Sequence, residues 1–251
     1  MKIEIITPIT RKEEHDAVME VYQQYASPGT VLNIDFLEQG PESIESDFDS
    51  ALAVPDILRI SKKAEAAGMQ AILIDCMGDV GLYAVRELVD IPVVGPAQAS
   101  MSLAATLADH FSVIGVLERD RATFHNTWRL YDLTSRGASI RVVNIPVLSL
   151  RDDDSQLIDA ITQQALLAVI EDGAHAIVLG CTGMGGKFAH KVQQGLEESG
   201  YAGVPVIDPT GVALKMAENL VALGLCHSKQ TFPTPPPKQL KGYENLRIAE
   251  Q

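Results

Sequence analysis

Two short stretches carry the residues best suited to chemistry. AILIDCMGD at 71 to 79 and AIVLGCTGM at 176 to 184 each end an apolar run in a cysteine, with a glycine two residues later. A lone cysteine at the end of a buried strand is ordinarily packing, since free cysteine is among the most buried residue types. Two in matching contexts, Cys76 and Cys181, read instead as a pair. A pair of thiols without metal or organic cofactor suits proton transfer at carbon. A thiolate on one face removes a proton, the charge spreads into an adjacent carbonyl, and a thiol on the other face returns a proton, giving the mirror-image centre. Each cysteine opens a glycine-containing turn expected to lead into a helix, from about Val80 and from about Lys187. The backbone N–H groups there would favour an anion, lower a nearby thiol's pKa and cradle a carboxylate or imide oxygen.

The other reactive side chains offer less. Cys226, in ALGLCHSK, has neither repeat partner nor glycine turn and reads as packing. His15 and His125 hold nearly matching places and read as surface helix residues. The six histidines show no HxxxH or HExxH spacing, so no metal is expected. The acidic run at 152 to 154 reads as a charged loop and helix cap. GCTGMGG lacks the GK[ST] ending of a phosphate loop and no GxGxxG follows a strand, so no cofactor is expected.

The elements that must position the thiols follow from hydrophobic periodicity. β-Branched runs predict strands at 2 to 7, 30 to 37, 71 to 76, 92 to 95, 111 to 117, 139 to 145, 176 to 181 and 205 to 208, with helical spacing between them. Strand and helix in alternation define an α/β fold with parallel sheets. The pattern also repeats as a block. Cys181 follows Cys76 by 105 residues, Pro205 follows Pro92 by 113, and the opening strands are offset by 108. The expectation is two similar Rossmann-like domains, residues 1–100 plus about 209–251 and residues 101–208. A pseudo-twofold axis would relate them, and the active site would lie in the cleft between them, beyond the carboxyl ends of the strands. FPTPPPKQLKGY, 232 to 243, reads as an extended tail that packs on a neighbouring surface or subunit.

Composition narrows the class. The 251 residues are 46% hydrophobic and 21% charged, enough for one large core or two smaller ones. A formal net charge of −13 argues against nucleic acid or an anionic membrane as partner. No apolar run approaches the roughly 18 residues of a membrane helix, and MKIEIITPIT does not read as a signal peptide. The expected protein is cytoplasmic, with its three cysteines reduced.

GPESIESDFDSALAVPDIL (40 to 58), DCMGDVGLYAVRELVDIPVVGPAQASM (75 to 101), FSVIGVL (111 to 117) and GCTGM (180 to 184) together resemble the aspartate/glutamate/hydantoin racemase superfamily, most of all its hydantoin and allantoin racemase branch. The likeness spans roughly residues 1 to 225. It implies a cofactor-independent two-base racemase acting on a small molecule, a homo-oligomer, with catalytic Cys76 and Cys181. Gly78, Asp79, Thr182, Gly183 and Met184 would be the substrate-binding turn positions. That branch usually opens with an Asn-Pro-Asn-Thr/Ser motif, where this chain has Thr7-Pro8-Ile9-Thr10. Thr7 and Thr10 are then the substrate-binding candidates, and both amides are lost. Gln98, in GPAQA, likewise stands where acidic or other residues are common. Three readings follow: a racemase or epimerase of a cyclic ureide or a small amino-acid-like acid, a related cysteine-dependent isomerase or decarboxylase, or a non-catalytic small-molecule-binding protein.

Overall fold

The computed structural model describes residues 1–145 and 154–242. The first four strands are β1 (Lys2–Thr7), β2 (Val31–Phe36), β3 (Ala71–Ile74) and β4 (Val93–Val94). The helices α1 (His15–Tyr25), α2 (Asp47–Ala66) and α3 (Leu82–Leu88) separate them. After α4 (Pro96–Leu107) the pattern starts again with β5 (Phe111–Gly115), α5 (Asp120–Leu130), β6 (Gly137–Val142), α6 (Asp154–Asp172), β7 (Ala176–Leu179), α7 (Lys187–Glu198), β8 (Val206–Ile207) and α8 (Pro209–Leu223). All eight expected strands are present.

Each set of strands makes its own four-stranded sheet. Both are parallel throughout, and the orders, β2-β1-β3-β4 and β6-β5-β7-β8, are the same permutation. Central strands in such sheets are covered on both faces and therefore lack polar alternation. β3 and β7 show this in full: Ala71, Ile72, Leu73, Ile74, Ala176, Ile177, Val178 and Leu179 have no exposed surface. Contacts divide the chain into two units. One holds Met1–Asp75, Asp79–Gly95 and the chain from Leu214 on; the other holds Cys76–Gly78 and Pro96–Ala213.

Past α8 the chain runs back over the edge of the first sheet. Val93, on edge strand β4, donates its N–H to His227 Nε2 at 2.8 Å, and its carbonyl accepts from the Arg86 guanidinium at 3.0 and 3.1 Å. An otherwise open strand edge is thereby closed. Lys229 Nζ donates to the carbonyls of Arg86, Glu87 and Val89, which satisfies the end of α3. Burial, then the positive charge of Arg86, push His227 down to about 4, so it remains a neutral acceptor at ordinary pH. Cys226, expected to be packing, is exposed, because it lies in this strap beyond the helix; its thiol donates to Asp90 O at 3.0 Å. Phe232, at the head of the proline-rich tail, packs edge-on to Tyr83 with ring centroids 5.3 Å apart.

One buried acid in the first sheet gives a measurable signature. Glu4 on β1 is 1% exposed, with both carboxylate oxygens accepting from Asn33 Nδ2. Burial outweighs that amide and raises the carboxyl to about 7. Because the folded value exceeds the unfolded one, stability should fall as pH rises from about 4.5 to 7. Glu4→Gln should therefore raise the stability at pH 8 by roughly 2 kcal/mol and change it little at pH 4. Urea denaturation at the two pH values checks this; an equal effect at both would contradict it.

Candidate active site

Each cysteine lies just past the last sheet hydrogen bond of a central strand. Asp75 N–H donates to Ile6 O at 2.8 Å, and Gly180 N–H donates to Ile114 O at 2.8 Å; in each case the next residue is the cysteine. β3 and β7 end at Ile74 and Leu179, two residues before the cysteines that the sequence pattern had included in the strands. The chain leaves the sheet there to form the turn, which frees the thiol from the ladder. Both Cys76 and Cys181 are half-buried.

The turn after Cys76 folds through two left-handed residues, Asp79 (φ 46°) and Gly81 (φ 70°). Aspartate tolerates this region better than most side chains, and glycine adopts it freely. Gly78 N–H points at Cys76 Sγ at 3.4 Å, a weak donor contact to the sulfur. Gly81 caps α3, which therefore begins at Leu82 rather than near Val80 and runs only seven residues. The Asp79 carboxylate lies flat against Gly95: a Cβ there would sit 2.5 Å from Asp79 Cγ and 2.8 Å from Oδ2.

The turn after Cys181 is a short 3-10 helix, Thr182–Met184, followed by Gly185 and Gly186. Met184 N–H donates to Cys181 O at 3.0 Å and Gly185 N–H to Thr182 O at 2.9 Å. Gly183 N–H has no partner among the described residues, which leaves one backbone donor two residues from the thiol. Asp208, 8% exposed, fastens this turn from the end of β8. Its Oδ2 accepts Gly186 N–H at 2.6 Å and its Oδ1 accepts Thr210 N–H at 2.8 Å, the second bond capping α8. Thr210 Oγ1 in turn donates to Thr182 O at 3.3 Å.

The other expected site residues sort by what their groups already do. The Met184 side chain is fully buried among Leu157, Ile161, Phe188 and Val192, and its N–H is taken by Cys181 O. It packs in the core of the second unit, because an apolar side chain one turn past the thiol gains most from the core beneath. Thr7, at the carboxyl end of β1, is 5% exposed and its hydroxyl is directed at Asp75 Oδ2 at 3.5 Å. The Thr10 hydroxyl donates to Pro41 O at 3.4 Å. The acidic run at 152 to 154 lies outside the described residues but for Asp154, the first residue of α6. His15 meets Asp16 at 3.0 Å, and His125 is exposed with its ring edge-on to Trp128.

Two features escaped sequence reading. Asp75, next to the thiol, is held by the fully buried Tyr22, whose OH donates to Oδ1 at 2.8 Å. Nothing in the spacing of Tyr22 and Asp75 signals the pairing. Asp208 is the second, and it does carry a local signal: in VIDPTG an aspartate ahead of a proline opens a helix, the ordinary signature of a side-chain cap.

Fold and turns together define a class of α/β protein built from two parallel sheets of the same order, with one cysteine just past the carboxyl end of a central strand of each. The Asp/Glu/Hydantoin racemase family model matches residues 3–217. The chain is 39% identical over 241 residues to the hydantoin racemase of Paenarthrobacter aurescens, covering 95% of this chain and 99% of that one. To the hydantoin racemase of Pseudomonas sp. (strain NS671) it is 37% identical, covering 96% and 95%. Among solved structures it is similar to the allantoin racemase from Klebsiella pneumoniae, with TM-score 0.90, 32% identity and 98% of each chain covered. The chain belongs to the Asp/Glu/hydantoin racemase family, in its hydantoin/allantoin branch, and is an isomerase of the racemase type.

The close approach behind Cys181 is testable. A Cβ on Gly180 would lie 2.7 Å from Ile114 O and 2.9 Å from Gly115 Cα, both rigid backbone. Gly180→Ala should cost on the order of 2 kcal/mol by forcing β7 off β5. Thermal unfolding measures the loss; an unchanged midpoint would contradict this packing.

Proposed function

We propose that this chain inverts a ring carbon next to a carbonyl in a cyclic ureide of the hydantoin or allantoin kind, with Cys76 and Cys181 as the two bases. The observation that carries the reading is the equivalent placement of the thiols, each one residue past the last ladder bond of the third strand of a sheet of the same order. The names of the similar racemases support the substrate class.

The thiolate of one cysteine takes the proton from the ring carbon, forming S–H as C–H breaks. The electron pair moves into the adjacent carbonyl as an enolate. The other cysteine's S–H delivers its proton to the opposite face and is left as thiolate. One turnover exchanges the protonation of the two sulfurs, and solvent exchange or the reverse reaction restores it. Gly183 N–H, without a partner among the described residues, would hold the oxygen on which charge develops, with Gly78 and Thr182 as the neighbouring turn positions. The Thr7 and Thr10 hydroxyls donate to Asp75 and Pro41, and their oxygens can still accept from a ring N–H of the substrate. The same reading carries a cytoplasmic homo-oligomer, for which sedimentation of the purified chain is the direct check of assembly.

The test is incubation in deuterated water with each enantiomer of an alkyl-substituted hydantoin, with allantoin, and with aspartate and glutamate. Loss of optical rotation with deuterium entering the ring carbon of a ureide is expected; turnover of the amino acids alone would overturn the substrate class. Cys76→Ser and Cys181→Ser should each lower racemisation by at least about a hundredfold, a serine hydroxyl being a far weaker acid and base. Each should retain deuterium exchange of one enantiomer, and the two should prefer opposite enantiomers. Full turnover by either variant, or the same preference in both, would sink the two-base mechanism.

A further inference from the structure

The two cysteine turns are braced by the same device built in opposite senses. β4 and β8 occupy the same place in their sheets, and Gly95 and Asp208 each follow the last strand residue and precede a helix-opening proline. In the first half the carboxylate comes from the turn: Asp79, three residues after Cys76, lies against glycine at the strand end. In the second half the carboxylate comes from the strand end, and the turn supplies the glycine. A Cβ on Gly185, four residues after Cys181, would lie 2.8 Å from Asp208 Oδ1 and 2.7 Å from Thr210 Oγ1. One carboxylate thus fills the space between turn and strand end in each half, and its partner position must lack a side chain.

We propose that Asp79 and Asp208 are the positioning residues of the two thiols, one apiece, so that each carboxylate sets the protonation geometry for one enantiomer. The assignment rests on the two-thiol reading above. Asp208 reaches Cys181 along a short path: it binds Gly186 N–H and Thr210 N–H, and Thr210 Oγ1 binds the carbonyl of Thr182, the residue after the thiol. Both carboxylate oxygens of this nearly buried group are used, so an amide there must turn its NH₂ toward one N–H donor and lose that bond. Asp79 reaches Cys76 through the backbone. Its left-handed φ sets the direction of the turn, and its carbonyl accepts Leu82 N–H at 3.1 Å, fixing the turn to α3. The fit against Gly95 then holds the carboxylate in place.

The experiment compares Asp208→Asn and Gly185→Ala, which disturb one brace, with Asp79→Ala and Gly95→Ala, which disturb the other, in the full chain. Two readouts are taken. Iodoacetamide labelling followed by peptide mass mapping gives a separate rate for each thiol and needs no substrate. Deuterium exchange of each enantiomer of an alkyl-substituted hydantoin gives a rate for each face. The first pair should change the Cys181 labelling rate by at least about threefold while Cys76 stays within about twofold, and the second pair should do the reverse. Exchange should fall for opposite enantiomers in the two pairs. Should one variant of a pair fail to fold, the other still reports on that brace. Labelling rates that move together, or not at all, would overturn the proposal whatever the substrate proves to be. If labelling separates as expected while the wild-type chain exchanges neither enantiomer, the braces stand and the catalytic reading fails.

Discussion

Two backbone hydrogen bonds fix what the rest of this molecule can do. Asp75 N–H to Ile6 O and Gly180 N–H to Ile114 O, each 2.8 Å, are the last points at which β3 and β7 touch their sheets. A parallel strand cannot reverse through a tight hairpin; it must cross over through a helix. The residues between ladder and helix are therefore obliged to turn at the carboxyl edge. Cys76 and Cys181 are the first of those residues. Their half-exposure follows from that position, since one residue earlier the side chain would be enclosed by the helices packed on the sheet.

The turn is where the two halves diverge while keeping one shape. Before the thiol stands Asp75 in one half, tied to Tyr22, and in the other Gly180, whose slot is closed by Ile114 O and Phe124. After it stand Asp79 with Gly95 in one half and Gly185 with Asp208 in the other. Polar group and glycine change places, and the filled volume stays. Dense packing enforces such reciprocity, because a cavity or a clash at a strand end would cost about as much as a misplaced core residue.

Charge on buried carboxylates is governed by burial and by the number of donors that meet them. Glu218 on α8, in the first unit, shows this. Burial alone would raise it, but Ser27, Thr30 and Lys215 donate to it and hold it at about 2. Glu4, with a single amide partner, goes the other way, to about 7. A carboxylate met by several donors stays ionised in a buried setting, and one met by few does not.

The sequence by itself determined the eight strands, the parallel α/β class, the repeat and the two thiols, because all of these rest on local periodicity and on residues a few positions apart. It placed Cys76 and Cys181 where strand gives way to turn, since glycine follows each within two residues, but ran both strands two residues too far. What only the tertiary structure decided were the contacts that close over long separations: Tyr22 to Asp75, Asp208 to Gly186, and the strap from His227 to Val93. The burial of the Met184 side chain is of the same kind, because the turn motif records neighbours along the chain and not direction. Cys226 passed for packing because nothing local marks a chain that runs back over a sheet edge. Periodicity names the elements and their faces; which side chain meets which across the sheets is set by volume and hydrogen-bond satisfaction in three dimensions.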